Sequence, residues 1–482
     1  MLFNSIQFAV FLPIVFALHW IFATRNYKFQ NILLLVSSYF FYACWDWRFM
    51  FLLMFSTLVD YFAGLKLHAE SSSSKRKMWL WISIGINLGF LSIFKYYDFF
   101  AENFAASMAY LGFKVNISSL NIILPVGISF YTFHGLSYIL DVYKNKIKPE
   151  KNFATYAVFV SFFPLLVAGP IERATHLLPQ LIKRREFDYS KAINGLRQIL
   201  WGLFKKIVIA DNCAVFANHI FNNSDNYSGI ILILGAVFFA FQIYGDFSGY
   251  SDIAIGVARL FGIDLLRNFA FPYFSRDIAE FWRRWHISLS SWFRDYVYIP
   301  MGGSRGSLWQ KVKNTFIVFL ISGFWHGANW TFIVWGGLNA LFIMPSVVFN
   351  TNRKNLDIVA QGKLFPSIKE ILSMFATFCA TLFAWIFFRA NNVDHALQYI
   401  SNIFIANSFF TIDFYDLNSP LPILLIIFIF VTIEWFGREK QYAIEAIGIK
   451  KNRVLRWSFY YIIAFVIYYF AGNQQQFIYF QF

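Results

Sequence analysis

Long apolar stretches alternate with short polar connections along the whole chain. A helix needs roughly 20 mainly apolar residues to cross the hydrocarbon core of a bilayer. Stretches of that order lie at approximately 5–23, 31–46, 49–65, 79–97, 122–141, 153–170, 195–220, 229–261, 314–347, 370–389, 421–436 and 457–471. The pattern predicts an all-α, polytopic membrane protein that crosses the bilayer about 11 or 12 times.

Basic residues are concentrated in a few of the polar connections, at Lys75–Lys77, Lys144–Lys151, Lys183–Arg185 and Lys450–Arg453. Because basic loops favour the cytoplasm, this distribution places the N-terminus outside. The stretch 153–170 lies between two of these clusters. It is therefore predicted to be re-entrant, unless one of the neighbouring spans is wrong.

No fixed-period repeat and no Pro/Gly/Ser-rich linker divides the sequence, so it predicts a single membrane domain over residues 1–482. The first apolar stretch has no basic region before it and no small-residue cleavage site after it, and it is expected to be a retained helix. The three cysteines are far apart and odd in number, and they predict neither a disulfide framework nor a metal site.

Composition supports the membrane assignment. The chain is 58% hydrophobic and 22% aromatic but only 14% charged, with a mean hydropathy of +0.51. Soluble domains carry charge on about a quarter of their residues, and disordered chains are poor in apolar residues. Both classes are excluded. The net charge of +15 comes from short basic runs between apolar stretches, which is typical of membrane proteins and does not indicate nucleic-acid binding.

The segment 263–313 is too polar to cross lipid and too aromatic for a solvated loop. At helical spacing its apolar residues share one face, and its arginines lie off that face. The apolar positions are Phe281, Trp285, Leu289, Trp292 and Phe293, and the arginines are Arg283, Arg284 and Arg294. The spacing predicts an interfacial amphipathic helix anchored by Trp and Arg at the lipid headgroups.

Two of the eight histidines are candidates for chemistry. His326 lies inside an apolar run, where a titratable group is costly and often functional. Gly323 and Gly327 flank it and allow another backbone or a ligand to approach closely. The alternative is a hydrogen-bonded core histidine that stabilises helix contacts, and the residues leave both interpretations open.

His286 lies in the aromatic segment, in Arg283-Arg-Trp-His-Ile-Ser288. A neutral imidazole can act as a general base or a proton relay, although an interfacial histidine among aromatic anchors is the simpler interpretation. Neither histidine is accompanied by a nucleophilic serine or cysteine motif or by an HExxH pattern. This argues against a serine hydrolase and a zinc protease, and no metal is expected.

Asp246 and Asp252 lie in an otherwise apolar stretch, where carboxylates need partners. The arginines of 276–294 are the candidate partners, and cation coordination is the alternative. Gly169-Pro-Ile-Glu-Arg173 ends an apolar run and by itself indicates a turn at a basic loop.

These motifs together resemble the membrane-bound O-acyltransferase family. The resemblance is carried by Phe281-Trp-Arg-Arg-Trp-His-Ile-Ser-Leu-Ser-Ser-Trp-Phe-Arg-Asp-Tyr296 and Ser322-Gly-Phe-Trp-His-Gly-Ala-Asn-Trp330. Tyr244–Gly256, Gly169–Arg173, Leu178–Gln180 and Phe477–Phe482 look like the bacterial branch that acylates cell-surface polymers. The resemblance covers most of the chain and is densest over 122–347.

The resemblance implies a ring of helices around a central funnel, with His326 at the catalytic position and His286 in support. It implies acyl transfer from a cytoplasmic donor, acetyl-CoA, to an extracytoplasmic polysaccharide of peptidoglycan or alginate type. The location would be the bacterial cytoplasmic membrane, and a separate SGNH-type acetyltransferase or esterase would be the partner. D-alanyl transfer to teichoic acid and a non-enzymatic transporter remain alternatives.

The segment 276–313 is the candidate donor entrance, because it carries seven basic residues against three acidic ones among Trp and Tyr. Arginine forks suit phosphate groups, which acetyl-CoA carries. The predicted donor-binding residues are Arg283, Arg284, Trp285 and Arg294. Attraction to anionic lipid would explain the same charges without a ligand.

Overall fold

The computed structural model describes residues 1–22, 26–115, 117–120, 122–227, 229–404, 419–447, 452–472 and 475–480. All regular secondary structure within these ranges is helical, which confirms the predicted class. Residues 450 and 451 of the C-terminal basic cluster lie outside the described residues, as do residues 481 and 482 of the C-terminal motif.

The chain divides into two compact units. The first comprises Met1–Gly195 with Ala254–Leu266, and the second comprises Leu196–Ile253 with Arg267–Phe482. The single-domain organisation expected from the sequence stays a prediction.

The helices of the N-terminal half are α1 (Ile6–Phe22), α2 (Tyr27–Ala43), α3 (Trp47–Ala69), α4 (Ser73–Leu91), α5 (Tyr97–Tyr110), α6 (Ile128–Tyr143), α7 (Phe153–Ser161), α8 (Phe163–Ala168), α9 (Ala174–Leu181), α10 (Tyr189–Leu203) and α11 (Asp211–Asn222). A π-helical turn at Ser92–Tyr96 joins α4 to α5, and another at Phe204–Ala210 joins α10 to α11.

The remaining helices are α12 (Ile230–Leu260), α13 (Ile278–Arg284), α14 (Ile287–Phe293), α15 (Leu308–His326), α16 (Trp330–Val348), α17 (Ile368–Arg389), α18 (Val393–Ile403), α19 (Leu421–Gly437) and α20 (Arg453–Tyr469). A single 3₁₀ turn at Ile478–Phe480 follows α20.

Five helical segments in the described part of the chain are long and apolar enough to cross a membrane. They are Trp47–Ala69, Ser73–Tyr110, Ile230–Leu260, Trp330–Val348 and Ile368–Arg389, and two shorter apolar helices lie at Ile6–Phe22 and Leu421–Gly437. The protein is therefore a multi-pass membrane protein.

Helix α1 has apolar residues on both of its faces. Its inward face carries Phe8, Phe11 and Val15, which are buried. Its outward face is equally apolar, and Ile6, Val10, Ile14, Leu18 and Ile21 are exposed. In water such a face would be costly, whereas it suits contact with lipid chains.

The stretch 153–170 does not form one span. It consists of two short helices, α7 and α8, that meet at Phe162, where the backbone is non-helical (φ −53°, ψ 116°). Pro164 lies in the first turn of α8, where its missing N–H costs nothing. A nine-residue helix rises only about 14 Å. The stretch is therefore not one continuous transmembrane helix, and its re-entrant course stays a prediction.

The stretch 314–347 also divides into two helices, α15 and α16, which the sequence pattern had joined. Gly327 is extended (φ −167°, ψ 157°), and Asn329 caps α16 by accepting a hydrogen bond from the Thr331 N–H. The apolar character continues through this turn, so the hydropathy pattern alone does not reveal it.

Candidate active site

The aromatic segment 278–293 is broken at His286, in contrast to the single amphipathic helix expected from the spacing. Trp285 ends α13 in an extended conformation, and His286 adopts the left-handed region with φ of +42°. The two short helices still bury all the predicted apolar positions, namely Phe281, Trp285, Leu289, Trp292 and Phe293. The prediction was correct that these residues share an apolar face. It was wrong about the continuity of the helix and about anchoring by tryptophan at the headgroups, because Trp285 and Trp292 are buried inside the protein.

Asn268 holds His286 in this position. The side-chain oxygen of Asn268 lies 3.0 Å from Nδ1 of His286 and accepts hydrogen bonds from the Ser288 N–H at 3.2 Å and the Ser288 hydroxyl at 2.9 Å. Because this oxygen accepts from Ser288, the histidine contact requires a proton on Nδ1. The lone pair of the imidazole is then on Nε2.

His286 is fully buried, and burial lowers the pKa of its imidazole to about 3. Desolvation disfavours the charged form, so the ring is neutral at physiological pH. The edge of the Phe247 ring packs against it, with ring centres 4.6 Å apart. A neutral imidazole in a fixed tautomer can accept a hydrogen bond at Nε2, and its low pKa suits an orienting group better than a strong base.

His326 ends α15 and is 4% exposed. Aromatic rings surround it: the ring centres of Trp335, Phe388 and Tyr479 lie 5.0, 5.3 and 5.7 Å from that of His326. The Trp325 ring is a neighbour of both histidines, with its centre 4.8 Å from that of His326 and 6.2 Å from that of His286. The structure thus brings both predicted histidines into one aromatic enclosure.

Small residues set the position of His326 by allowing α15 and α16 to pack closely. A Cβ atom on Gly323 would lie 2.2 Å from the Phe332 carbonyl oxygen, and one on Gly327 would lie 2.1 Å from the Phe332 ring. Gly336 has the same role on α16, where a Cβ atom would lie 2.4 Å from the Phe319 carbonyl oxygen. The close backbone approach predicted for these glycines is confirmed for Gly323, whereas Gly327 makes room for the Phe332 side chain.

The predicted donor-binding arginines make contacts within the protein. Arg283 donates to the carbonyl oxygens of Asn352 and Asn355 at 2.5 and 2.8 Å. Arg284 pairs with Glu280 at 2.8 Å. The two Arg283 bonds tie α13 to the polar loop 352–357.

The other two predicted donor residues differ in exposure. Arg294 has an exposed side chain and pairs with its neighbour Asp295 at 2.8 Å. Trp285 is buried, stacks on Phe281 with ring centres 5.5 Å apart and lies 5.2 Å from the Trp385 ring. Donor binding by these residues stays a prediction.

The buried aspartates pair with lysines and not with the arginines expected from the sequence. Asp246 lies 2.7 Å from Lys206, while Asp252 lies 2.5 Å from Lys205 and accepts a hydrogen bond from Gln198 at 2.7 Å. The lysines come from the π-helical turn Phe204–Ala210, whereas Arg276 and Arg284 pair with Glu280. Structural pairing was correctly preferred, but the partners were wrong.

The Gly169–Arg173 motif, which belongs to the first unit, is built around a buried glutamate. The Glu172 carboxylate accepts from the Leu266 N–H at 2.6 Å and lies 2.8 Å from Nδ1 of His176. The Glu172 N–H donates to Nε2 of His134 at 3.0 Å. The motif is therefore a hydrogen-bonded junction and more than a surface turn.

Asn268, Lys206 and Tyr479 are site residues that sequence reasoning missed. Each lies outside the local motifs of the two histidines, and Tyr479 is more than 150 positions beyond His326. No spacing rule predicts such contacts. The aromatic C-terminal motif was a signal, but it gave no indication of what it packs against.

Comparison with known proteins identifies the family. A model described as the membrane-bound O-acyltransferase family matches residues 150–385. A probable alginate O-acetylase of Azotobacter vinelandii is 37% identical over 461 residues, which cover 94% of this chain and 88% of that protein. The peptidoglycan O-acetyltransferase of Helicobacter pylori is 37% identical over 84% of this chain and 80% of its own length.

A more distant similarity extends to the teichoic acid D-alanyltransferase of Bacillus subtilis, which is 28% identical over 57% of this chain and 71% of its own length. The near full-length matches at more than one-third identity agree with the family model and with the buried histidine pair. On these grounds the chain is an acyltransferase that belongs to the membrane-bound O-acyltransferase family.

Proposed function

We propose that the protein transfers acetyl groups from cytoplasmic acetyl-CoA for the O-acetylation of an extracytoplasmic polysaccharide of alginate or peptidoglycan type. The bacterial cytoplasmic membrane is the location that such a reaction requires. Relatives named for alginate and peptidoglycan O-acetylation, similar over most of the chain, support this acceptor class. The observation on which the proposal depends is that the Trp325 ring neighbours both His286 and His326, so that the two histidines share one aromatic enclosure.

In the proposed reaction His326 acts as the general base. It takes the proton from an acceptor hydroxyl while the hydroxyl oxygen attacks the thioester carbonyl carbon. The C–S bond then breaks, and the proton held by His326 passes to the departing thiolate, so that an ester and a free thiol are the products. The aromatic rings around His326 exclude water and thereby limit hydrolysis of the thioester.

His286 has a supporting role in this proposal. With its Nδ1 proton donated to Asn268 and its ring neutral at physiological pH, its Nε2 atom can accept a hydrogen bond from the acceptor hydroxyl. It is therefore a proton relay or an orienting group for the acceptor. A weaker effect of its removal than of His326 removal is expected.

The donor is proposed to enter from the basic end of α15. Lys311 and Lys313 lie near the start of that helix and His326 at its end, about 22 Å further along the axis. If the basic end faces the cytoplasm, the reacting histidine lies deep in the membrane. The donor must then thread its thioester inward, while Arg283, Arg284 and Arg294 contact the phosphate-bearing end outside and the buried Trp285 lines the inward path.

A partner protein is required if the acetyl group is to reach the glycan. The protein is proposed to hand the group to a periplasmic or membrane-anchored SGNH-type acetyltransferase or esterase. Co-purification of such a protein from the native membrane, followed by its acetylation in the presence of acetyl-CoA, would identify it.

The test is thioester turnover by the purified protein in detergent, supplied with an alginate or peptidoglycan acceptor and the co-purified partner protein, with free thiol release from acetyl-CoA as the readout. His326→Ala is expected to reduce turnover at least about a hundredfold, the minimum general-base contribution. His286→Ala is expected to reduce it less. His68→Ala, which removes an exposed histidine from α3, is the control and should leave turnover unchanged. Wild-type turnover in the His326 variant would refute the assignment.

D-alanyl transfer is the second candidate, because the chain also resembles teichoic acid D-alanyltransferases. The same preparation distinguishes the two when it is offered a D-alanyl thioester instead of acetyl-CoA. Consumption of the D-alanyl donor alone would favour this second reaction. A transporter without chemistry would release thiol from neither donor.

A further inference from the structure

Lys206 is a buried cation with an unusual set of partners. Its side chain is 1% exposed, and Nζ lies 2.7 Å from both Asp211 and Asp246. It belongs to the π-helical turn Phe204–Ala210, and such turns within helices occur frequently at functional sites. Two carboxyl groups therefore share one ammonium group in the interior of the second unit.

The same charges bind the C-terminal segment, which we define as residues 475–480. The Ile478 N–H donates to the second carboxylate oxygen of Asp246 at 2.7 Å, and Nζ of Lys206 donates to the Gln475 carbonyl oxygen at 3.2 Å. Hydrogen bonds to ionised groups are about twice as strong as neutral ones. Phe477 and Ile478 are 0% and 1% exposed, so the segment is embedded in the unit.

This attachment determines what stands beside the catalytic candidate. Tyr479 directly follows the bonded Ile478, and its ring centre lies 5.7 Å from His326, 6.3 Å from Trp325 and 4.7 Å from Phe247. Tyr479 thus forms one wall of the aromatic enclosure. Without the segment, His326 would lose one of its surrounding rings and be open to water on that side.

We propose that Asp246 and Lys206 are positioning residues whose ion pair latches the C-terminal segment into the active site, and thereby sets the Tyr479 wall against His326. The consequence for turnover rests on the proposed function, whereas the latch itself does not. The two residues act through the segment and do not touch the reacting atoms.

Asp252 shows what a purely structural pair on the same helix looks like. It is six residues after Asp246 on α12 and pairs with Lys205 and Gln198. Asp246 instead divides its oxygens between Lys206 and the backbone of a segment more than 200 residues away. That division is what assigns the latch to Asp246, and it makes Asp252→Asn a matched control.

The test measures access to the segment with an engineered thiol. Ile478→Cys keeps the backbone N–H, and it is introduced into a chain in which the exposed Cys44 and Cys379 are replaced by serine, leaving the buried Cys213. Maleimide labelling in detergent should be slow in this background. Adding Asp246→Ala or Lys206→Met should accelerate it by about tenfold or more, the effect of losing one charge-assisted hydrogen bond. Asp252→Asn should leave it unchanged.

Turnover of acetyl-CoA provides the second readout. Asp246→Ala and deletion of 475–482 should reduce turnover to a similar extent, and the combination should be no worse than either alone, because both remove the same wall. Activity loss in Asp246→Ala without faster labelling would overturn the latch, as would equal acceleration by Asp252→Asn. If no variant or wild-type protein turns over acetyl-CoA, the proposed function fails while labelling still decides the latch.

Hydrogen exchange of the unaltered chain tests the latch independently of any variant. The Ile478 amide should exchange slowly, because it is buried and donates to Asp246. Exchange as fast as in an unstructured peptide would overturn the proposal even if every Asp246 variant failed to fold.

Discussion

The side-chain oxygen of Asn268 lies 3.0 Å from Nδ1 of His286 and fixes the tautomer of that ring. The same oxygen accepts two hydrogen bonds from Ser288, which is two residues after His286: one from its backbone N–H and one from its hydroxyl. Asn268 therefore closes the backbone around a histidine that adopts the left-handed conformation. Asn268 therefore links the break between α13 and α14 to the tautomer of the His286 imidazole.

Replacing Asn268 should impair His286 without touching it directly. Asn268→Ala removes the acceptor, so that the Nδ1 proton of His286 and the two Ser288 donors lose their hydrogen-bond partner. Each unsatisfied buried group lowers the free energy of unfolding by about 1–3 kcal/mol. We expect a lower apparent melting temperature and about tenfold lower turnover, since either tautomer then becomes accessible.

Asn268→Asp is the conservative counterpart, because a carboxylate keeps an acceptor oxygen in place. Its negative charge beside His286 should raise the pKa of the imidazole from about 3. The pH–rate profile should then shift its acidic limb to higher pH, whereas Asn268→Ala should lower the rate at every pH. Identical profiles for the two variants would contradict the tautomer argument.

A second prediction concerns two adjacent glycines on α16. A Cβ atom on Gly336 would lie 2.4 Å from the Phe319 carbonyl oxygen, whereas one on Gly337 would find its nearest neighbour, a Leu320 methyl carbon, at 3.9 Å. Gly336→Ala should push α15 away, cost about 1–3 kcal/mol of stability and reduce turnover by displacing His326. Gly337→Ala should do neither. Thermal unfolding and thiol release measure both effects, and equal behaviour of the two variants would refute the close-packing argument.

The sequence predicted the chemistry-bearing residues better than their surroundings. His286, His326 and the apolar face of 281–293 stood out because apolar spacing and a rare titratable group are local signals, while the roles of the two histidines stay predictions. The break at His286 could not be identified, because the apolar period continues across it and the break depends on a hydrogen bond that His286 donates to Asn268.

The ion pairs of the second unit show the same limit. Asp246 and Asp252 clearly needed partners, but nearness in sequence favoured the arginines of 276–294 over lysines some 40 positions upstream. Lys205 and Lys206 lie in a continuous apolar stretch, and only the tertiary packing of the π-helical turn brings them to α12. The hydropathy pattern therefore does not identify which residue pairs with a buried charge.

A third prediction concerns the donor. Arg283→Gln and Arg284→Gln should each raise the half-saturating acetyl-CoA concentration with little change in maximal rate, because phosphate contacts contribute to binding and not to the chemical step. Lys66→Gln, which removes an exposed lysine of α3 outside the predicted donor entrance, is the control for general charge loss. An unchanged half-saturating concentration with lower protein yield would assign both arginines to holding the loop 352–357.

The last prediction concerns the pH dependence of stability in the first unit. The hydrogen bond to Glu172 raises the pKa of His176 above its ordinary value. Partial burial lowers this pKa, and the negative charge of Glu172 raises it further. A raised folded-state pKa means that the protonated form is the one stabilised by folding. The contribution is therefore complete below the unfolded pKa of about 6.5 and is lost as the pH rises through the folded pKa.

His176→Gln should accordingly lower the apparent melting temperature in detergent at about pH 5.5 and have little effect at about pH 9. The difference should correspond to no more than about 1 kcal/mol, because the His176 side chain is 37% exposed and solvent screens the pair. His68→Gln controls for the loss of a histidine in general. A destabilisation by His176→Gln that is equal at both pH values would show that the contact with Glu172 stabilises as a neutral hydrogen bond and not as an ion pair.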